Sequence, residues 1–443
     1  MGLQLKLFIK SKGGILMKRK ITYLLLVVLI ISFSTGVFAQ QEIDKQKAVE
    51  LALEQNSAIK KLQEEIAKTK AQLEEAEGAF YPSLDLNTSY TRFENKQQLG
   101  PMTYSKGNYN FSLNLRQPLF LGGELRINYQ MMKNRLAMTK LNLEQKKEEI
   151  TYRVLEQYYN VLKAKKMLKV RKQQVRQNQR YVEVAETNKE VGMSTKTDLL
   201  QAKVGYNQAQ QEELVAENKL ETAKLALKNT LNLSAETKLE ITDSLKWQQN
   251  SFTLAELYDY ALNNKVAFQL LELQKETAEL DLKSKENRNI YPDVNLTAGY
   301  ETNGEQWSVD DGDWQTTLSL SYNLFNGGRD QDKIKQKEKE LKKVKIEQQQ
   351  TEKDIKLAIK NSLLNLRAAQ DRIKLSKLNL EQAKENLQNN ELKFKEGLIT
   401  SLDLLNVQTT YQQVKTQYYQ AIYDYNLAVA ELNKAIGKIE KVN

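Results

Sequence analysis

The chain of 443 residues is predicted to be mainly α-helical with a small β part, and its long helices are predicted to form coiled coils. Three observations support this fold class. Apolar residues recur every seven positions over long stretches without proline, which is typical of supercoiled helices. Four shorter segments alternate apolar and polar side chains, as half-buried β-strands do. The whole succession of helices and strands occurs twice along the chain.

The composition excludes several functional classes. The chain has no cysteine and no histidine, so disulfide frameworks, zinc fingers and catalytic dyads built on these residues are ruled out. The acidic and basic residues are spread over predicted helix faces and converge on no cleft signature. We therefore expect neither enzymatic activity nor a cofactor or metal site.

Residues 1–39 have the features of a secretory signal peptide. A basic segment at 17–20 precedes an apolar run at 21–33, and 37–39 has the small residues of a cleavage site. Residues 1–16 are then an upstream extension, and a retained N-terminal membrane anchor is the alternative. The net charge of +10 suggests nucleic acid binding, but residues 1–39 hold six basic residues and no acidic ones. Without them the 66 basic residues fall to 60, against 56 acidic ones, so we expect no nucleic acid partner.

Three short motifs occur twice, in the same order. They are Tyr-Pro at 81 and 291, Leu-Phe-x-Gly-Gly at 119 and 324, and Gly followed by Asp-Leu-Leu at 192 and 397. The last two motifs recur after the same 205 residues, so each unit is roughly 200 residues long, far more than a solenoid repeat. We therefore divide the mature chain into a first repeat over 40–232, a linker over 233–254 and a second repeat over 255–443.

Each repeat is predicted to contain a helix, a β-hairpin, a long helix and a further helix. The hairpins are predicted at 83–118 and 293–323, the long helices at 124–190 and 329–395, and the helices that follow them at 195–231 and 400–436. The first helix has apolar residues at steps of seven, and the period falls to two at Pro82, where the first strand begins.

The long helices show the strongest pattern. Val154, Val161 and Leu168 belong to a seven-residue repeat that reaches Val182, and the same repeat returns 205 residues later. A helix of about 66 residues is roughly 100 Å long at about 1.5 Å per residue. A strict seven-residue repeat over this length indicates that the helices supercoil against neighbours.

A turn with glycine separates each long helix from the next helix. Gly192 and Gly397 suit a helix end in the left-handed conformation. The following helices open with Thr195 and Thr400, each followed three residues later by an aspartate. This spacing is that of a capping box.

The four strands have the length and the single apolar face of outer-membrane strands, and a small soluble sheet that caps a helical bundle is the alternative. Four strands cannot close a barrel, and an open sheet edge cannot face lipid. If the strands span a membrane, several copies must therefore share one β-barrel, and three copies of four strands would give 12 strands. Both hairpin loops are expected on the far side of the sheet from the helices.

This arrangement resembles the TolC-like outer membrane efflux proteins over essentially all of residues 43–437, through the duplicated motifs in their order. The resemblance implies a trimeric α-barrel joined to a shared 12-stranded transmembrane β-barrel with four strands per protomer, in the outer membrane and with a long periplasmic extension. It also implies a passive exit duct of a tripartite efflux or type I secretion system. Its partners would be a periplasmic membrane-fusion (adaptor) protein and an inner-membrane transporter. A periplasmic coiled-coil scaffold without channel activity is the alternative.

The resemblance also implies functional residues. The tips that meet the adaptor correspond here to Val191, Gly192, Met193, Ser194, Gly397, Leu398, Ile399 and Thr400. The pore constriction corresponds to Asp198, Asp403 and Asn406. Asn406 departs from the acidic pattern of the family, and Ile399 stands where a relative has arginine. Asp198 and Asp403 also fit a helix-capping role, which is compatible with a role in the pore constriction.

Overall fold

The computed structural model describes residues 41–94, 97–99, 102–104, 107–247 and 252–438, and the predicted signal peptide lies outside them. Up to residue 247 the elements are β1 (Gln41–Ile43), α1 (Lys45–Gln55), α2 (Ser57–Gly78), β2 (Ser83–Arg92), β3 (Gln97–Leu99), β4 (Met102–Tyr104), β5 (Gly107–Leu121), α3 (Glu124–Glu190), α4 (Lys196–Thr230) and β6 (Leu239–Ile241). From residue 252 they are α5 (Leu254–Asn264), α6 (Val266–Ile290), β7 (Asp293–Gly304), β8 (Asp313–Ser321), α7 (Arg329–Lys395) and α8 (Ser401–Ile436). The predicted mainly α-helical class with a small β part is confirmed.

The two long helices set the length of the molecule. α3 and α7 each have 67 residues, or roughly 100 Å at about 1.5 Å per residue. Each begins after a glycine in the left-handed conformation, Gly123 or Gly328, with φ of 80°. The seven-residue repeat forms the packing seam, because Val154, Val161 and the later Ile359 are at most 1% exposed. Across the described ranges, no helix is both long and apolar enough to cross a bilayer.

The helices form two antiparallel hairpins, α3–α4 and α7–α8. α3 is the central helix and packs against α1, α2, α4, α6 and α8, whereas α7 packs against α5, α6 and α8. The contact of α3 with α8 holds the two hairpins side by side. A main core of buried Leu, Ile, Val, Ala and Tyr side chains joins both hairpins to α1, α5 and β6.

Several features of the fold lie outside the sequence prediction: β3 pairs with β4 in a separate sheet, and the helix expected ahead of β7 is two helices, α5 and α6. The helix expected ahead of β2 is two helices, because the Asn56 side chain accepts a hydrogen bond from the Ala58 N–H at 2.9 Å and starts α2. In the segment expected to be a linker, β6 pairs in parallel with β1, and Ile43 lies opposite Ile241. Ile43, Leu239 and Ile241 are buried, so this pairing is part of the main core.

Strands β2, β5, β7 and β8 form one antiparallel sheet in that order, so β2 and β8 are its edges. The register gives the sheet one apolar face, with a row formed by Leu86, Leu113, Tyr300 and Trp314. The opposite face is polar, with a row formed by Asn87, Ser112, Glu301 and Asp313. The helical hairpins leave the sheet from one end of its strands.

Candidate functional site at the helical hairpin tips

Both helical hairpins turn at the end of the molecule that is far from the sheet. The predicted tip residues lie in these turns, Val191, Gly192, Met193 and Ser194 after α3, and Gly397, Leu398, Ile399 and Thr400 after α7. Gly192 and Gly397 have φ of 78° and 71°. In each turn the N–H of the residue after the glycine donates to a carbonyl five residues earlier, at 2.8 and 2.9 Å. Both turns are therefore Schellman motifs, whose left-handed position favours glycine.

Each turn is followed by a capping box that starts the next helix. The Asp198 N–H donates to the Thr195 hydroxyl at 3.2 Å, and the Thr195 N–H donates to the Asp198 carboxylate at 3.0 Å. Thr400 and Asp403 make the same pair of hydrogen bonds at 3.2 and 3.1 Å. Hydrogen bonds from the threonines lower the pKa of both aspartates, which favours their ionised form. The capping role is thus present at both tips.

The two tips touch each other and expose apolar side chains together. The Met193 side chain lies against Gly397, where an added Cβ would come within 3.2 Å of Met193 Cε. Val191, Met193 and Leu398 are 63%, 55% and 67% exposed. Apolar side chains grouped in this way at one end of a molecule are typical of a docking surface.

The residues predicted to constrict the pore lie beside the tips. Asp403 and Asn406 are exposed and lie three residues apart on α8, so they share one face of this helix. Asp198 is half-buried at the start of α4, and a hydrogen bond from the Ser401 backbone contributes to its lowered pKa. Asp198 and Asp403 therefore belong to two adjoining helix starts.

All four helices of the hairpins meet near the tips. A separate cluster of buried apolar side chains is formed by Ala185, Leu199, Leu387, Phe394 and Leu404. Next to it, the Tyr181 hydroxyl and the Gln177 amide both donate to the Glu391 carboxylate. Burial and this hydrogen bond raise the pKa of Tyr181, so its hydroxyl stays protonated. These contacts connect α3 of one hairpin to α7 of the other.

A buried polar contact joins the hairpins through residues that the sequence did not single out. Asn178 on α3 and Gln408 on α8 are 3% and 1% exposed. The Gln408 amide donates to the Asn178 side-chain oxygen, and the Asn178 amide donates to the Gly205 carbonyl on α4 at 2.9 Å. Gly205 permits this packing, since a Cβ there would lie 3.1 Å from Leu405 Cδ1. A signal was available, because Asn178 follows Val175 by three residues and so occupies an interior position of the seven-residue repeat.

From this contact toward the sheet, a cleft opens between the helices. The cleft has a volume of about 960 Å³ and is bounded by α3, α4 and α8. Arg171 and Glu212 form an ion pair of 2.7 Å at its wall, and Lys163 Nζ lies 4.0 Å from the centre of the Tyr423 ring. The cleft therefore lies between α4 and α8, while α3 and α8 remain in contact beside it.

Solved structures identify the class of protein that has this fold. The chain superposes on CusC with a TM-score of 0.78 at 17% identity, over 90% of this chain and 96% of that one. It superposes on the outer membrane protein VceC of Vibrio cholerae with a TM-score of 0.77 at 16% identity, over 89% and 96% of the two chains. The fold is that of an outer membrane channel protomer.

Sequence comparison then defines the family. The model of the outer membrane efflux protein family matches residues 48–233 and 257–438, and the chain belongs to this family. The outer membrane efflux protein BepC of Brucella suis is 22% identical over 311 residues, which are 70% of this chain and 67% of that protein. The predicted resemblance is confirmed. Membership of this family shows that the chain is an outer membrane protein and that it acts in transport rather than in enzymatic catalysis.

Proposed function

We propose that three copies of this chain form a passive exit duct in the outer membrane. The three sheets close one 12-stranded β-barrel, and the helical hairpins assemble into a periplasmic tube of roughly 100 Å. A periplasmic adaptor protein and an inner-membrane transporter deliver substrates to the duct, and the transporter supplies the energy. The duct thus serves a tripartite efflux or type I secretion system.

The observation that carries the proposal is the two-sided sheet with two open edges. Leu84, Leu318 and Leu320 on its apolar face are 63%, 66% and 69% exposed, which suits contact with lipid better than contact with water. The polar face suits the lining of a water-filled lumen. The edges at β2 and β8 are unpaired in one chain and cannot face lipid, so a barrel requires further copies.

The tips supply the adaptor-binding surface in this proposal. The surface comprises Val191, Gly192, Met193, Ser194, Gly397, Leu398, Ile399 and Thr400. Its support is the apolar exposure of both turns and the contact of Met193 with Gly397, which makes the two turns one surface. An adaptor would therefore contact both Schellman turns at once.

The narrow end of the duct is assigned to the same region, with Asp198, Asp403 and Asn406 at the constriction. Asp198→Asn combined with Asp403→Asn is expected to loosen this end and to raise single-channel conductance. The reason is that each carboxylate accepts hydrogen bonds at a helix N-terminus and stabilises that end of the helix. Planar-bilayer recording of the purified variant measures the change.

The control for this pair is Asp371→Asn, which removes an exposed carboxylate from the middle of α7, where it pairs with Lys374 at 3.2 Å.

Folding lowers the pKa of Asp198 and Asp403 from the ordinary value of 3.8. The stability that their ionised carboxylates contribute is therefore present above pH 3.8 and is lost as the pH falls through the lower pKa values of the folded protein. Conductance of the unaltered protein should thus be constant from about pH 7 to about pH 5. Equal conductance of the double variant and the unaltered protein would refute the constriction assignment.

Conductance also separates the duct from the alternative, a periplasmic scaffold. The full chain, purified from the outer membrane fraction, is expected to be a trimer that inserts into planar bilayers and conducts ions. The β-barrel is the reason, since a closed lumen with polar walls admits water. A folded protein that is recovered as a periplasmic monomer, or a trimer that never conducts, would favour the scaffold.

A further inference from the structure

The cleft between α4 and α8 is large enough to hold an organic molecule. Its volume is about 960 Å³, and ligand pockets in proteins typically have about 300–1,000 Å³. Lys163 on its wall lies roughly 60 Å from the sheet end of α3, at about 1.5 Å per residue. The cleft is therefore far from the strands and is formed by the helices of a single copy.

The charged side chains that line the cleft leave it with an excess of positive charge. They are the basic Lys163, Arg171 and Lys219 and the acidic Glu212. Arg171 and Glu212 form an ion pair of 2.7 Å, so their charges compensate each other. Among the described residues, neither Lys163 nor Lys219 forms an ion pair with a carboxylate. Two uncompensated ammonium groups therefore remain on the wall, one from α3 and one from α4.

The surroundings of Lys163 would favour an added anion. Its Nζ lies 4.0 Å from the centre of the Tyr423 ring. Burial lowers the pKa of Lys163, and the charge of Lys219 acts in the same direction. Asp424 acts in the opposite direction, but this carboxylate already pairs with Arg372 at 3.3 Å. An anion between the two lysines would compensate charges that repel each other.

The rest of the wall is largely apolar. Ala164 and Met167 contribute apolar surface from α3, and Val215 contributes it from α4 and is 53% exposed. The space beside Val215 exists because α4 has short side chains there, namely Ala216, Ala223 and Ala226. Such a wall suits the apolar body of a ligand, since contact with it removes apolar surface from water.

α8 adds a polar group to the same cleft. The Thr416 hydroxyl lies on the cleft wall, is shielded from water and has no hydrogen-bond partner within the described ranges. A buried hydroxyl without a partner is unfavourable, and a ligand oxygen could accept its hydrogen bond. All three helices thus offer groups that a ligand with an acidic head could use.

We propose that this cleft binds an organic anion with an apolar body, such as an aromatic sulfonate or carboxylate. The acidic group lies between Lys163 and Lys219, and the rings lie against Met167 and Val215. The inference goes beyond the proposed function, because the site needs neither an adaptor nor passage through the lumen. It gives the wall of the duct a binding site of its own, once in each copy.

Calorimetric titration of the full chain in phosphatidylcholine nanodiscs tests the site, with 2-naphthalenesulfonate as the probe. We expect saturable binding of one probe molecule per copy. Two compounds separate the parts of the ligand. The uncharged 2-naphthalenesulfonamide keeps the rings without the charge, and inorganic sulfate keeps the charge without the rings. Both should bind at least tenfold more weakly than the sulfonate, because each lacks one of the two kinds of contact.

Two variants test the assigned residues. Lys163→Gln combined with Lys219→Gln should weaken binding of the sulfonate at least tenfold and leave binding of the sulfonamide unchanged, since only the charge recognition is removed. Val215→Ser should weaken binding of both aromatic compounds, because it removes apolar surface from the wall. Circular dichroism should show an unchanged helix content in both variants.

A matched control removes one lysine from each of the same two helices. Lys172→Gln combined with Lys203→Gln acts outside the cleft, where these lysines pair with Glu217 and Glu186 at 4.0 and 2.9 Å. The affinity for 2-naphthalenesulfonate should stay at the value of the unaltered protein. An equal loss in this control would show that net charge, and not the cleft, attracts the probe, and it would overturn the inference.

Three further outcomes would overturn the inference. They are the absence of saturable binding to the unaltered protein, equal affinity for the sulfonate and the sulfonamide, and full affinity in the Lys163→Gln and Lys219→Gln variant. Bilayer recording of the same preparation keeps the two proposals apart. A conducting trimer that does not bind the probe refutes the site and leaves the duct, whereas a protein that binds the probe but never conducts refutes the duct and leaves the site.

Discussion

Replacement of Gly192 and Gly397 together by valine is expected to abolish adaptor-dependent export while the channel still assembles. Both glycines have positive φ, 78° and 71°, where an L-residue is strained by about 1–2 kcal/mol. A β-branched side chain must relieve this strain by changing the turn, and at Gly397 it also meets Met193. Because about 1.4 kcal/mol is a factor of ten, docking should weaken at least tenfold. Co-purification with the adaptor and an export assay measure the loss.

A matched control separates docking from backbone strain. Gly327→Val introduces a similar strain, since Gly327 has φ of 72° and, like Gly192, has no atom within 4 Å of an added Cβ. It lies at the sheet end of α7, far from the tips, so adaptor binding should be retained. Unchanged export and co-purification in the double variant would show that the tips do not bind the adaptor.

Asn178→Ala is expected to open the narrow end of the duct and to raise its conductance. The substitution leaves the buried amide of Gln408 without its partner, while the Gly205 carbonyl keeps its hydrogen bond within α4. An unsatisfied buried polar group costs about 1–3 kcal/mol, and a trimer contains three such sites. A loss of this size in the stability of the closed state should raise the fraction of time that the channel is open more than tenfold in single-channel recordings.

Two further variants test the cause of this opening. Asn178→Leu combined with Gln408→Leu removes both polar partners and should restore a closed end, because a matched apolar pair leaves no amide unsatisfied. Asn134→Ala removes another buried asparagine of α3, which is 3% exposed and lies away from the tips, and it should leave conductance unchanged. Equal conductance of Asn178→Ala and the unaltered protein would rule out a closing role for this contact.

Local sequence patterns were sufficient for the long helices, for the four strands of the main sheet and for the tip turns. The seven-residue repeat through Val154 and Val161 is both the sequence signal and the buried seam. The capping box of Thr195 and Asp198 spans three residues, so its hydrogen bonds depend on little outside them. The left-handed turn at Gly192 was predictable for the same reason.

Contacts between distant segments could not be predicted from local sequence patterns. Asn178 and Gln408 are 230 residues apart, and neither side chain indicates its partner. The parallel pairing of Ile43 with Ile241 is similarly remote, and β6 has only three residues in which a period could be recognised. The division of the first helix at Asn56 depends on one side-chain hydrogen bond within an otherwise continuous apolar pattern.

The sequence by itself determined that this protein has long unbroken helices, four two-faced strands, a duplicated order and glycine turns, because these features depend on periods and on neighbours a few residues away. Only the tertiary structure decided which strands are edges and which are interior. It alone showed that β5 meets β7 in the middle of the sheet, and that α3 is enclosed while the start of α7 is exposed. The physical reason is that pairing between remote segments depends on where helices of roughly 100 Å place the ends of the strands. No local pattern of side chains determines that placement.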